Sequence, residues 1–243
     1  LITGVEKWGG WVFENARKEL EKYYVSRSDN YIPMVYLWAR TIKCEGPKCG
    51  TEIPLIGELR LGKTGKKITA LKYEVDGKAI NFKVIEIDSD KYLQTPLAKR
   101  FTATCPLCGF TTPYKRVREQ INSDNGGSNQ ARLISVIAID KYGKRVFRLA
   151  TSEDETVFRM ATAKICTLIE SQPYGMSILP NEPLPPNGTI GFRVRNYGMK
   201  TWGDLFNHRQ ALALVTYTNL ISDAHKRMRE NGVNTELASA ITT

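Results

Sequence analysis

Histidine is almost missing from this 243-residue chain: only His208 and His225 occur. Both fall in one helical pattern, roughly five turns apart, so they cannot share a metal with each other. A catalytic metal site ordinarily takes three protein ligands, usually including histidine, and keeps a position open for water. A self-contained metal hydrolase or deaminase is therefore a poor reading. No Ser or Cys is placed beside either histidine by sequence pattern, which argues against histidine-based nucleophilic catalysis. No hydrophobic run is long enough to span a bilayer, and no secretory leader is visible. Five cysteines fall well short of a disulfide-dense scaffold. These absences imply a reducing, cytoplasmic setting with no membrane partner. The sequence also has no internal repeat.

What cysteine there is lies in a pattern. Cys44 and Cys49 stand in Cys-Glu-Gly-Pro-Lys-Cys-Gly, and Cys105 and Cys108 in Cys-Pro-Leu-Cys-Gly. Both knuckles are too tight for comfortable internal disulfides. Each ends in a glycine, Gly50 or Gly109, which lets the chain take a positive-φ turn so that backbone amides can approach the thiolates. Two such loops present four soft ligands to one tetrahedral ion, and a zinc ribbon is the leading reading, with Cys44, Cys49, Cys105 and Cys108 as a closed structural set. The 55 residues between Cys49 and Cys105 exceed the spacers of compact zinc sites, which points to an insertion between the knuckles. Cys166 sits in a helical pattern and reads as a small buried apolar residue.

Acidic residues are in deficit, 25 against 35 Lys and Arg, for a formal charge of +10. From Arg40 to Gln120 the count is 16 basic to 9 acidic, a net of +7 in the third of the chain that holds both knuckles. Such a surface suits a polyanion, nucleic acid first. Lys63, Lys66 and Lys67 crowd one expected turn, and Lys115, Arg116 and Arg118 follow the second knuckle. If the metal joins the knuckles, strands beginning there place both clusters on one side as phosphate contacts.

The patterning predicts an α+β protein: a zinc ribbon with an inserted antiparallel β-meander, packed with a few long helices. Val5, Trp8, Val12, Ala16, Leu20 and Tyr23 recur at helical spacing and predict a helix from about 4 to 24. Strands are expected over Met34–Ile42, Pro54–Leu61, Ile68–Val75 and Ala79–Ile87, with turns at Gly62–Gly65 and Asp76–Lys78. Asn122–Asn129 reads as a flexible polar loop. A hairpin is expected from Ala131–Asp140 and Arg145–Leu149. Ser152 and Glu155 form a capping-box pattern for a helix to about Glu170. Pro180–Gly188 reads as an extended, exposed connector. A helix over about Asn207–Arg229 carries the stripe Ala211, Leu214, Val215, Thr218, Ile221 and Ala224, with Asn207 and Gln210 at its cap and Gly232 at its end. The expected domains are an N-terminal helix at 1–32, a zinc-ribbon/β domain at 33–150, and a helical segment with its proline-rich connector at 151–243. The start at Leu1, running at once into helical sequence, suggests an excised piece of a larger protein.

The stretch Gly191-Phe192-Arg193-Val194-Arg195-Asn196-Tyr197-Gly198-Met199-Lys200-Thr201-Trp202-Gly203-Asp204-Leu205-Phe206, with Arg209-Gln210-Ala211-Leu212-Ala213-Leu214 after it, resembles a segment of a prokaryotic DNA methylase family. These are adenine-specific DNA methylases containing a zinc ribbon, related to proteins carrying the DUF1156 domain. Leu37-Trp38-Ala39-Arg40-Thr41-Ile42-Lys43-Cys44 with Cys49-Gly50, and Cys105-Pro106-Leu107-Cys108-Gly109, match the same family. The similarity spreads from about Tyr31 to Arg229. The resemblance implies a parent enzyme that moves a methyl group from S-adenosylmethionine to the exocyclic amine of adenine. That chemistry needs a glycine-rich cofactor turn and an Asp/Asn-Pro-Pro-Tyr/Phe loop that holds a flipped base. Neither motif is present; Leu184-Pro185-Pro186-Asn187 has the wrong residue on both sides. The expectation is the zinc-bearing, DNA-engaging middle of such an enzyme, inactive alone and joined to the remainder of the methyltransferase polypeptide, with S-adenosylmethionine bound only by the parent. The alternative is a non-enzymatic zinc-ribbon module that binds RNA or a protein partner.

Overall fold

The computed structural model describes residues 1–24, 31–124, 126, 128–172 and 177–243, with only the backbone of residue 190. In chain order the elements are α1 (Ile2–Leu20), β1 (Ile32–Ala39), β2 (Thr41–Lys43), β3 (Glu52–Pro54), β4 (Arg60–Thr64), β5 (Lys67–Asp76), β6 (Ala79–Ile87), β7 (Ala98–Lys99), β8 (Thr102–Thr104), β9 (Thr111–Thr112), α2 (Tyr114–Ser123), β10 (Arg132–Ile139), β11 (Arg145–Leu149), α3 (Ser152–Glu170), α4 (His208–Glu230) and α5 (Thr235–Thr242). All strand pairings are antiparallel, and the fold is α+β.

The chain divides into two compact units. One holds α1, α3, α4 and α5; the other holds every strand, α2 and the segment Glu182–Leu205. The chain thus leaves the helical unit after α3, contributes to the β unit, and returns at α4.

In the helical unit, Val12, Ala16 and Leu20 of α1 pack with Ala161 and Ile165 of α3 and with Ala211, Leu212, Val215, Leu220 and Ala224 of α4. The α4 stripe is rotated from the expected one: Leu214, Thr218 and Ile221 face outward, while Leu212, Thr216 and Met228 are buried. Small residues at Ala211 and Ala224 serve either phase, so periodicity alone did not separate them. Asn207 and Gln210 form a reciprocal capping box, with Asn207 Oδ1 accepting from the Gln210 amide at 3.0 Å and Gln210 Oε1 from the Asn207 amide at 3.0 Å. Arg209 is buried among aromatic rings, its guanidinium 5.0 Å from the Tyr24 centroid and 5.7 Å from that of Phe158, and it donates to the Tyr23 carbonyl.

In the β unit, β4–β5–β6 form the meander between the knuckles, β1–β10–β11 a second three-stranded sheet, β2–β3 a short hairpin and β7–β8–β9 a small third sheet. The expected Met34–Ile42 strand is two strands broken at Arg40. The expected Pro54–Leu61 strand is not one strand: Pro54 closes β3, and β4 starts only at Arg60. The first meander turn lies two residues later than expected, at Gly65-Lys66 between the paired residues Thr64 and Lys67. Gly62 lies inside β4, where an added Cβ would lie 2.5 Å from Cζ of Phe147 on β11. At both meander turns glycine occupies the first central position, Gly65 at φ 61° and Gly77 at φ 56°, the arrangement of a type II′ turn.

One further expectation fails. Tyr114–Ser123 is a helix, not the start of a strand, and its last turn takes in the first residues of the expected polar loop; Asn125 and Gly127 of that loop lie outside the described residues. The proline-rich connector is exposed over most of its length, as expected, and is held at Pro183 and Leu184. Leu184 is 2% exposed, its amide donates to the Lys200 carbonyl at 2.8 Å, and Pro183 bridges Thr201. Among the described residues no helix is long and apolar enough to cross a membrane.

Candidate metal centre

Each knuckle is the tip of a small hairpin. Knuckle 1 joins β2 to β3, and knuckle 2 joins β8 to β9. Both close in the same way: the first cysteine's amide donates to the carbonyl two residues past the second cysteine. The bonds are Cys44 to Thr51 at 2.8 Å and Cys105 to Phe110 at 2.9 Å. The intervening glycines take φ 65° at Gly50 and 73° at Gly109, a region that L side chains avoid. Gly46 is required for a different reason. A Cβ there would lie 2.9 Å from the Cys108 sulfur and 3.0 Å from the Phe110 Cβ, so only glycine lets the knuckles meet.

They do meet. The sulfurs of Cys44, Cys49, Cys105 and Cys108 all lie within 4.8 Å of one another, across 55 intervening residues. Two close separations join opposite knuckles, Cys44 to Cys108 at 3.5 Å and Cys49 to Cys105 at 3.8 Å. None is a disulfide. Metal–sulfur bonds of about 2.3 Å in a tetrahedron separate the sulfurs by about 3.8 Å, so the cage has the size of a metal such as zinc. Cys44, Cys49 and Cys105 are buried in the same core as Ile42, Ile53, Leu59, Ala103 and Val117, while Cys108 is exposed.

Electrostatics favour a cation at the centre. Burial pushes the Cys44 thiol up to about 12, opposed by the Gly46 amide that points at its sulfur from 3.4 Å. Hydrogen bonds from the Thr51 side chain and amide bring Cys49 down to about 6. Four bare thiolates in this space would repel one another, whereas a bound dication keeps coordinated thiols deprotonated.

Residues outside the cysteine pattern tie the halves together. Arg116 of α2, just beyond knuckle 2, reaches Glu45 inside knuckle 1: its Nε lies 3.1 Å from both carboxylate oxygens and its second terminal nitrogen 2.6 Å from Oε1. Arg116 also pairs with Glu119. These bonds hold the Glu45 carboxyl below the usual carboxylate range. Gln120 bonds both the amide and the carbonyl of Lys43, and its Nε2 also donates to Glu45 at 3.1 Å. Arg118 donates to the Asn196 carbonyl at 3.1 Å and the Tyr114 hydroxyl at 2.7 Å, with its guanidinium over both the Tyr114 and Tyr197 rings.

The Asn196-Tyr197-Gly198-Met199 stretch is thereby accounted for as packing against α2. A Cβ on Gly198 would lie 2.6 Å from the Gly126 amide nitrogen and 3.0 Å from the Asn122 Cα, so glycine permits backbone-to-backbone contact there. Asp204 accepts from the Lys200 and Thr201 amides at 2.7 and 2.8 Å, and Trp202 meets Phe192 edge to face.

The six basic residues expected to meet phosphate therefore divide. Arg116 and Arg118 are engaged internally, and Lys67 pairs with Glu86 at 3.0 Å. Lys63, Lys66 and Lys115 are exposed and make no ion pair among the described residues. Cys166 is half-buried on α3 and takes no part in the cage. Glu45, Thr51 and Gln120 were missed, although Gln120 and Arg116 lie one helical turn apart and so share a face of α2, a signal available only once that segment is read as a helix. Compared with protein-family models, with curated proteins and with solved structures, the chain matches none of them significantly.

Proposed function

We propose that one zinc ion joins the two knuckles, and that the chain is the DNA-engaging, zinc-ribbon middle portion of an S-adenosylmethionine-dependent, adenine-specific DNA methyltransferase. The four-sulfur cage carries the first half of this reading. Cys44, Cys49, Cys105 and Cys108 hold the ion; four thiolates complete its shell and leave no position for a water nucleophile, so its work is structural. The DNA-engaging half is supported by the basic excess between Arg40 and Gln120, by the exposed Lys63, Lys66 and Lys115, and by the motif similarity described above. The cofactor and catalytic loops belong to the remainder of the polypeptide, and the chain alone transfers no methyl group.

Metal analysis of protein purified without chelator tests the first half; a chain that folds fully with no bound metal overturns it. DNA binding over a salt series tests the second, since phosphate contacts make affinity fall linearly with salt on logarithmic axes. The internal engagement of Arg116 and Arg118 favours a second reading, a non-enzymatic module that binds RNA or a protein partner. A salt-insensitive complex, or no DNA complex, supports the protein partner.

A further inference from the structure

The hairpin β7–β8 turns through two residues, Arg100 and Phe101, between the paired Lys99 and Thr102. Both central residues have positive φ, 48° and 70°, which is a type I′ turn. Such turns ordinarily use Asn-Gly, because a bulky side chain is disfavoured in the left-handed region. A phenylalanine there is an outlier, and it is not repaid by burial: Phe101 is 64% exposed. Strained backbone of this kind concentrates at functional positions.

What surrounds the ring is equally specific. Phe101 leans on Tyr114, 5.5 Å between centroids and 57° between planes. Tyr114, itself 39% exposed, is backed by Arg118, whose guanidinium lies 5.0 Å from its centroid and also bonds its hydroxyl. Arg118 is anchored in turn by the Asn196 carbonyl and the Tyr197 ring. The exposed ring therefore stands on a braced column. Lys99 and Arg100 immediately precede Phe101 and Lys115 immediately follows Tyr114 in the chain; all three are exposed, and none makes an ion pair among the described residues. An aromatic face with unmatched cations next to its rings in the chain complements a base and its phosphates.

We propose that Phe101, braced by Tyr114 and Arg118, is a stacking platform for an unpaired nucleobase of DNA, with Lys99, Arg100 and Lys115 holding the adjoining phosphates. This deepens the DNA-engaging reading above and rests on it. The test uses the full metal-loaded chain, a short oligothymidylate and a mixed-sequence duplex, each titrated over a salt series. Phe101→Asn removes the ring while easing the turn, because Asn tolerates positive φ. The expected result is a loss of oligothymidylate affinity of roughly tenfold or more, an unchanged salt slope and a thermal midpoint no lower than the parent's. Phe101→Trp retains binding. Lys115→Ala lowers the single-strand salt slope by about 0.7. If Phe101→Asn binds the single strand as the parent does, or loses equally on duplex and single strand, the platform is wrong while DNA engagement stands. If the parent binds neither form, both fall.

Discussion

Gln120 grips Lys43 by both backbone groups, its Oε1 accepting from the amide at 2.8 Å and its Nε2 donating to the carbonyl at 3.0 Å. The side-chain amide thus acts as a short piece of neighbouring strand for the residue that enters the first knuckle. Since α2 grows out of the second knuckle, this contact and the Arg116–Glu45 pair hold the halves of the cage in register from outside the sulfur cluster. Both contacts are solvent-exposed, so they position rather than dominate.

Their role separates from phosphate binding. Arg116→Ala is expected to leave the salt slope of DNA binding unchanged, because its charge is already matched by Glu45 and Glu119, while metal dissociates faster. Lys63→Ala, by contrast, should reduce the duplex slope by about 0.9. A slope change for Arg116→Ala would show that the clasp opens on DNA.

Cys105→Ser should remove both the metal and the fold of the β unit. Structural zinc contributes about 10–16 kcal/mol in small zinc domains, against a total stability of about 5–15 kcal/mol for a whole domain. Far-ultraviolet circular dichroism before and after chelation of the parent should follow the same course. Cys166→Ser, half-buried and not a member of the cage, retains full metal content.

Gly46→Ala and Gly50→Ala fail by different routes. At Gly46 the new methyl collides with the Cys108 sulfur at 2.9 Å, so metal affinity suffers directly. At Gly50 there is open space, and the cost is the positive φ alone, about 1–2 kcal/mol. Competition with a zinc-binding dye should rank Gly46→Ala as the weaker binder.

Replacing Arg100-Phe101 with Asn-Gly supplies the residues a type I′ turn favours. Two strained positions cost of order 1–3 kcal/mol each, so the double variant should be stabilised by about 1 kcal/mol or more against urea. Unchanged or lower stability would mean that the Phe101–Tyr114 contact outweighs the strain.

His208 at the start of α4 is half-buried, and burial lowers its proton affinity below that of free histidine. The folded state therefore resists a proton that the unfolded chain accepts, so stability is full above about pH 6.5 and declines as pH falls below it. His208→Gln should flatten that share of the decline in urea titrations at pH 7 and pH 5. An identical slope in the variant would refute it.

The four clustered cysteines, the second meander turn and the cap of α4 were legible in the sequence, because each depends on chemistry within a few residues: paired thiols with a following glycine, glycine at a tight turn, reciprocal Asn and Gln. The burial phase of α4 was not, since Ala211 and Ala224 suit either rotation and only packing against α1 and α3 selects Leu212 over Leu214. Nor was α2, whose Lys-Arg-Val-Arg start carries no capping side chain and reads equally as a basic strand.

Sequence by itself determined that four sulfurs were available in two like-shaped loops and that the basic excess gathered around them. Only tertiary structure decided that the loops meet at metal-bonding distance, that Arg116 and Arg118 are drawn into the frame, and that Phe101 is held out to solvent on a strained turn. The reason is range. Turn and cap preferences are settled by neighbours along the chain, whereas an arginine's partner and an aromatic ring's exposure depend on what the rest of the chain brings beside them.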